Sequence, residues 1–268
     1  IRDVERSRGL GDVYKRQVIT ESKNRDLSPH IEIESKSSDM MHTGGGARIL
    51  PIRATVVVKD GDKVDANTVL VSLEGSARAI LTAERTALNF LQTLSATATV
   101  TAFYAKYLDG SNTKILDTRK TLPGLRHAQK YAVRCGGGQN HRVGLFDAFL
   151  IKENHIFSCG NIEKAVSRAK TMMPGKPVEV EVENLEQVKE AIEASVDVIM
   201  LDNMNPKDMQ KAVKLIGKRA WVEASGGIRQ ENLREIAGTG VDFISIGALT
   251  HSAPALDFNM KIATLSNS

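Results

Sequence analysis

From residue 113 onward the chain alternates between two hydrophobic periods. Short apolar runs at Lys114–Asp117, Asp147–Ile151, Val178–Val182, Asp197–Leu201, Trp221–Ala224 and Asp242–Ile246 predict strands. Between them, Gly124–Arg134, Ile162–Met172, Leu185–Ala194, Pro206–Ile216 and Glu231–Ala237 repeat their apolar positions at helical spacing. Asn161, Asn184 and Asn205 stand where N-caps belong, with Pro206 at the first helical position. Gly217 and Gly238 stand where C-caps belong. Uniformly apolar strands alternating with amphipathic helices predict parallel β/α units buried on both faces. Six such strands can open as a doubly wound sheet or curl into an incomplete barrel.

The first half is patterned differently. Residues 1–17 combine dense mixed charge with no apolar period, resemble a translated sequencing adapter, and are expected to lie outside the fold. Residues 18–50 are polar or glycine-rich and read as loop or an aberrant region. ATVVVKDGDKV then predicts a strand and turn, with Val56, Val57 and Val58 β-branched. Val69–Gly75 predicts a second strand that pairs with it. From Ala77 to Leu108, Ile80, Leu81, Ala87, Leu88, Leu91, Leu94 and Ala98 recur at helical spacing, predicting one long helix or two in tandem. The expected division is an N-terminal α+β domain over 18–111, aberrant to about 54, and a β/α domain over 112–252. Residues 253–268 are expected to return to the first domain.

Strand ends decide between sheet and barrel, because reactive groups in a barrel sit just past them. Those positions carry Arg119-Lys120, Lys152, Glu181 and Glu183, Asp202, Ser225-Gly226-Gly227 and Ser245-Ile246-Gly247. Ligand groups spread over nearly every end favour the barrel, since a doubly wound sheet gathers them at one switch point. With His141-Arg142 after a triple glycine, five cationic or potentially cationic side chains suit a small, multiply negative substrate. The glycines of Gly136–Gly138 would let backbone approach a ligand. The last two turns can cradle a phosphate, or need glycine only for tight geometry. Alternation in VEVEVEN puts Glu179, Glu181 and Glu183 on one face. With Asn205 placed to cap, Asp202 reads as a ligand group. The two acids Glu181 and Asp202 could bind ribose hydroxyls, a Mg²⁺ ion or a developing positive charge.

Composition narrows the class without changing this picture. At 268 residues, with 41% hydrophobic and 25% charged positions, the chain suits a soluble enzyme of one or two domains. A net charge of +4, with no basic run interleaved with aromatics, argues against a nucleic-acid role. The apolar runs are too short to span a bilayer. Only Cys135 and Cys159 are present, which fits a reducing, cytoplasmic compartment. No Walker loop, GxGxxG or metal-ligand spacing occurs.

ERTALNFLQTLSATAT, LDTRKTLPGLRHAQKYAVRCGGGQNHRVGLFDAFLIKENHI, VEVEVENLEQ, IMLDNM, EASGGI and GVDFISIGALTHSAPALD together resemble the signature blocks of the quinolinate phosphoribosyltransferase family. The resemblance runs from about Val57 to Met260. It implies an α+β sandwich followed by an incomplete β/α barrel, joining quinolinate to phosphoribosyl pyrophosphate (PRPP) with Mg²⁺ and releasing pyrophosphate and CO₂. By the same resemblance, Arg119, His141 and Arg142 would bind quinolinate carboxylates. Thr118, Lys120 and Lys152 would lie beside the ring and PRPP. Glu181 and Asp202 would hold ribose hydroxyls and Mg²⁺. Ser225, Gly226 and Gly227, with Ser245, Ile246, Gly247 and Ala248, would hold the 5′-phosphate. Arg85 would reach the partner's site in a homodimer; by itself Glu84-Arg85 reads as a solvated charge pair. The chain departs from the family at its start, where the usual N-terminal helix and acidic-Gly-Asp segment are missing. Residues 22 to about 54 match no expected block. A phosphosugar isomerase or aldolase on the same barrel, or a product of a damaged gene start without activity, are the alternative readings.

Overall fold

A computed structural model describes residues 30–35 and 52–264 of the chain. The chain divides into two compact units, Ile1–Ala96 with Ala253–Ser268, and Thr97–Ser252. The division falls inside a helix, not at its end as expected from the sequence. That helix, α1, is continuous over Ala77–Tyr107 and contributes its first part to one unit and its second part to the other.

In the first unit, β1 (His30–Ser35), β2 (Arg53–Val56), β3 (Val69–Glu74) and β10 (Asn259–Thr264) form one sheet in the order β10-β1-β3-β2. β2 and β3 pair antiparallel, as the two β-rich runs predict, whereas β1 runs parallel to both of its neighbours. Leu70, Leu88 and Phe258 are buried together, with Val58, Val64, Leu91 and Met260 packed against them. β1 corrects the loop reading of residues 18–50: HIEIES is a short alternating run flanked by polar sequence, so its period was easily overlooked. The expectations for residues 1–17 lie outside the described residues.

The second unit holds a six-stranded parallel sheet in the order β4-β9-β8-β7-β6-β5. Its strands are β4 (Lys114–Leu116), β5 (Phe149–Ile151), β6 (Val178–Val182), β7 (Val198–Asp202), β8 (Trp221–Ser225) and β9 (Phe243–Ser245). The helices between them are α2 (Arg126–Cys135), α3 (Glu153–Cys159), α4 (Ile162–Met172), α5 (Leu185–Glu193), α6 (Pro206–Ile216), α7 (Gln230–Ala237) and α8 (Ala248–His251). Among the described residues the sheet is an open arc, the incomplete barrel. Val178, Val180 and Val182 are fully buried, as are Ile199 and Leu201, which explains why the positions facing away from the cavity are apolar. Asn161, Asn184 and Asn205 cap their helices by accepting from Lys164, Gln187 and Asp208 N–H groups.

Two predicted strands, those begun at Asp197 and Asp242, start one residue late. Asp197 and Asp242 spend their carboxylates on the Val178 and Val222 N–H groups of neighbouring strands, at 2.7 and 2.8 Å. The short helix α3 has no counterpart in the sequence reading. The triple glycine serves packing: a side chain at Gly136 would strike Ala98 O and Thr101 on α1, and one at Gly138 would strike Thr101 and Val133. The expected close approach of that backbone to a ligand is therefore replaced by close approach to a helix.

Candidate active site

The C-terminal ends of the six strands surround a cavity of about 760 Å³. Thr118, Arg119, Lys120, His141, Arg142, Lys152, Glu181 and Asp202 all line it, together with the turns after β8 and β9. The strand-end positions picked out from the sequence thus converge on one site, except Glu183, which is exposed and does not line it. Arg85 is not among the residues that line it; it is exposed on the first unit's part of α1.

Positive charge is concentrated at the rim. Arg142 is half-buried, and burial followed by the positive charge of Arg119 holds its guanidinium below the usual arginine range. One of its N–H groups donates to Ala148 O at 3.1 Å. Lys120 N donates to Thr118 Oγ1 at 3.0 Å, which curls the TRK segment back on itself. Lys152 Nζ donates to Glu181 Oε2, so the lysine is already neutralised by the acid expected to share the site. Asp202 ends β7 with one oxygen accepting from Asn203 Nδ2 at 2.7 Å.

The turns divide between geometry and availability. Gly226 and Gly227 have φ of 86° and 61°, a region that L side chains rarely enter, so both glycines are required by the turn itself. Asn203 packs over Gly226 where a side chain would otherwise stand. After β9, Ile246 N donates to Leu116 O at 3.0 Å and its side chain is buried, so that N–H is spent on the sheet. Gly247 and Ala248 open α8 at the cavity wall.

Below the rim lies an acidic floor that the sequence reading did not assemble. His141 Nε2 meets Glu179 Oε2 at 2.9 Å and Glu223 Oε2 at 3.6 Å. Its Nδ1 accepts the Arg142 N–H at 2.8 Å. Both ring nitrogens are therefore committed within the protein, and the imidazole in this arrangement has none left for a carboxylate. Burial opposes charge on His141, but the hydrogen bond to Glu179 and the charges of Glu179 and Glu223 outweigh it and raise its pKa. Glu223 is pushed up to about 8, by burial and then by the charge of Glu179. One ligand-type atom from each of the three residues lies within 4.8 Å of the others. The 2.9 Å bond joins His141 to Glu179, and Glu223, with its raised pKa, lies beside both. The signal for it was available: Glu179 belongs to the same alternating face as Glu181, and Glu223 sits two residues before the SGG turn.

His251, Arg229, Leu150 and Met200 also line the cavity without having been singled out. Met200 and Glu223 are register partners on β7 and β8, so inward alternation from Asp202 and Ser225 would have found both.

Two family models cover most of the chain. The quinolinate phosphoribosyl transferase C-terminal domain matches residues 97–261, and the N-terminal domain of the same family matches residues 20–95. The second match overturns the expectation that residues 22 to about 54 carry no family pattern. A probable nicotinate-nucleotide pyrophosphorylase [carboxylating] of Bacillus subtilis is 42% identical over 97% of this chain and 90% of its own length. The nicotinate-nucleotide pyrophosphorylase [carboxylating] of Mycobacterium leprae is 44% identical over 76% of this chain and 73% of its own. Among solved structures, the nicotinate-nucleotide pyrophosphorylase from Francisella tularensis superposes with a TM-score of 0.75 at 54% identity. That superposition covers 77% of this chain and 74% of that one.

Proposed function

This chain belongs to the quinolinate phosphoribosyltransferase family, and from that premise we propose how its cavity transfers the phosphoribosyl group of PRPP to quinolinate with loss of CO₂. The products are nicotinate mononucleotide, pyrophosphate and CO₂. The observation that carries the reading is the convergence of Arg119 and Arg142 on one cavity. Burial first, and then the positive charge of Arg119, lower the pKa of the Arg142 guanidinium, and a dianion would relieve that second contribution. Guanidinium forks match carboxylates bidentately, so the pair suits the two neighbouring carboxylates of quinolinate.

The ring nitrogen attacks C1′ of PRPP as the bond from C1′ to pyrophosphate breaks. Positive charge grows on C1′, and the Glu181 and Asp202 carboxylates at the ends of β6 and β7 face that charge across the cavity. Lys120 and Lys152 meet the negative charge of the phosphate groups. The bond from C2 to its carboxylate then breaks, CO₂ leaves, and the electron pair on C2 is captured by a proton. The positive ring nitrogen beside C2 stabilises that pair, and the cationic rim adds to it. Mg²⁺ fits the donor set, because Glu181 and Asp202 offer carboxylate oxygens, the hard donors this ion takes. Held by these two residues, it would neutralise charge on the leaving pyrophosphate. Arg85 serves the site of a second copy in a homodimer, and the enzyme works in the cytoplasm.

The test is an assay with quinolinate and PRPP that follows release of CO₂ and formation of the mononucleotide. Nicotinate is the alternative acceptor. Turnover with quinolinate and at most a trace with nicotinate is expected; equal kcat/KM for the two acceptors would rule out the dicarboxylate reading of the Arg119–Arg142 pair.

A further inference from the structure

The carboxylate clamp has two arms that come from different parts of the chain. Thr118-Arg119-Lys120 follows β4, and His141-Arg142 follows the glycine turn after α2. The backbone pairing that joins their roots, a bridge between Leu116 and Gln139 with Asp117 N donating to Gln139 O at 3.1 Å, stops short of both arms and does not by itself set the distance between Arg119 and Arg142. Two groups of side chains do.

The lower group is buried. Lys130 Nζ, on α2, pairs with Asp117 Oδ1; the two side chains are 4% and 0% exposed. The same Asp117 oxygen accepts the His141 N–H at 2.9 Å, and Lys130 Nζ donates to His141 O at 2.8 Å. Both backbone groups of His141 thus end on the ion pair. Asn140 Nδ2 closes the ring, reaching Asp117 Oδ2 at 2.6 Å and Lys130 O at 2.8 Å. The upper group is a single guanidinium. Arg126, in the first turn of α2, donates to Arg119 O at 3.2 Å and to Val143 O at 3.1 Å, with its Nε on Thr121 Oγ1 at 3.2 Å. Arg119 is itself one arm of the clamp, and Val143 directly follows the other.

An ion pair kept merely for stability is poorly explained here, because replacing a buried pair with apolar groups is often neutral or stabilising. What the charges accomplish is directional. Every remaining bond they make runs to the segment that carries Arg142. We propose that Asp117, Lys130, Asn140 and Arg126 are positioning residues that brace the two arms, set the spacing of Arg119 and Arg142, and so select a vicinal dicarboxylate acceptor over a monocarboxylate. The proposal rests on the phosphoribosyl-transfer reading of the cavity.

Arg126→Met tests it with the least risk to folding, since the side chain is only part-buried. Asn140→Ala removes the lower ring's closure while leaving the ion pair in place. For each variant, KM for quinolinate, KM for PRPP and the ratio of kcat/KM for quinolinate over nicotinate are measured, with circular dichroism to establish folding. The expected result is a quinolinate KM raised about tenfold or more, a PRPP KM unchanged within about twofold, and a selectivity ratio reduced about tenfold; each tenfold step corresponds to about 1.4 kcal/mol. Arg126→Lys, which places one nitrogen where the guanidinium places three, should fall between Arg126→Met and the unaltered enzyme. Equal changes in both KM values, or an unchanged selectivity ratio, would overturn the brace. Should Asn140→Ala fail to fold, Arg126→Met decides alone. Absence of any transfer by the unaltered enzyme would instead defeat the functional reading, and calorimetry of quinolinate binding to the unaltered protein and to Arg126→Met would then decide the brace.

Discussion

Along the rim of the cavity Arg119 and Lys120 are exposed, while Arg142 and Lys152 are half-buried. Beneath them Asp117, Lys130, Glu179 and Glu223 are all at most 5% exposed. Both regions are built from ordinary charged residues, yet burial makes their physics different. A rim charge is hydrated and mobile, so its worth lies in what it does to an arriving anion. A floor charge has lost its water and must be matched within the protein. Substitutions at the rim should therefore be seen in kinetics, and substitutions at the floor in stability and its pH dependence.

The largest effect is expected at Lys152. Lys152→Ala frees Glu181 and removes a cation from PRPP, with an expected loss in kcat/KM of about 10²–10³-fold or more. Arg85→Ala should be as damaging if the arginine serves a second copy. Neither variant should be active alone, while refolding the two together should restore part of the activity through heterodimers with one intact site. Mixtures that stay inactive would place Arg85 in its own chain's chemistry.

Arg119→Ala comes next. It removes one guanidinium from a clamp built for two carboxylates, at an expected cost of about 2–5 kcal/mol in kcat/KM for quinolinate. Thermal unfolding should barely change, because the side chain is exposed. A fall in stability as large as the fall in activity would erase the distinction between rim and floor.

These two regions were also unequally legible. The rim could be read from the sequence because β/α units place loop residues at strand ends, because TRK and IKEN each put a cation at such an end, and because NHR follows a conspicuous glycine turn. Capping asparagines fixed the helices around them. The floor was obscure for a physical reason: its residues sit inside elements. Asp117 reads as the end of a strand, and Lys130 as a charge on an amphipathic helix. Nothing in a helical period shows that a lysine points inward at a carboxylate 13 positions away. Glu223 hides inside EASGG. In the first unit β1 was overlooked for a related reason, since a six-residue strand flanked by polar sequence carries few apolar positions from which to read a period.

Glu223→Gln should sharpen the comparison from the floor side. Burial lifts the Glu223 carboxyl from its ordinary 4.5 to about 8, with the charge of Glu179 adding to the shift and that of His141 opposing it. The folded protein keeps this proton over a range where the unfolded chain has released it. The stability it contributes is present in full below about pH 4.5 and is lost as pH rises through about 8. The raised pKa of His141 acts in the same direction, above that group's ordinary 6.5. Melting temperature should therefore decline from about pH 5 to 8 in the unaltered protein and decline less in Glu223→Gln, with about 2–4 °C for each 1 kcal/mol at this chain length. Parallel curves would show that the carboxyl titrates with the rest of the chain.

The smallest effect is expected at Asp147, whose carboxylate accepts the Val143 N–H at 2.6 Å and the Gly144 N–H at 3.0 Å. These bonds turn the chain immediately after Arg142. Burial pulls the Asp147 carboxyl up, but the Val143 and Gly144 hydrogen bonds outweigh it, and the group is held below the usual carboxylate range. The sign is opposite to that of Glu223: stability from Asp147 is present above the ordinary carboxylate pKa and is lost as pH falls through the depressed one. Because the group is partly exposed, water replaces much of what Asp147→Asn removes, and a loss of about 0.5–1.5 kcal/mol is expected. The same loosening should raise KM for quinolinate by less than about tenfold, since Arg142 keeps its own bond to Ala148 O. Asp147 thus joins the two regions: it is a carboxylate at the rim that works as the floor does, by holding backbone in place. If Asp147→Asn instead abolished quinolinate binding while leaving the melting curve untouched at every pH, the loop would be part of the clamp itself, and the boundary between rim and floor would have to be drawn below it.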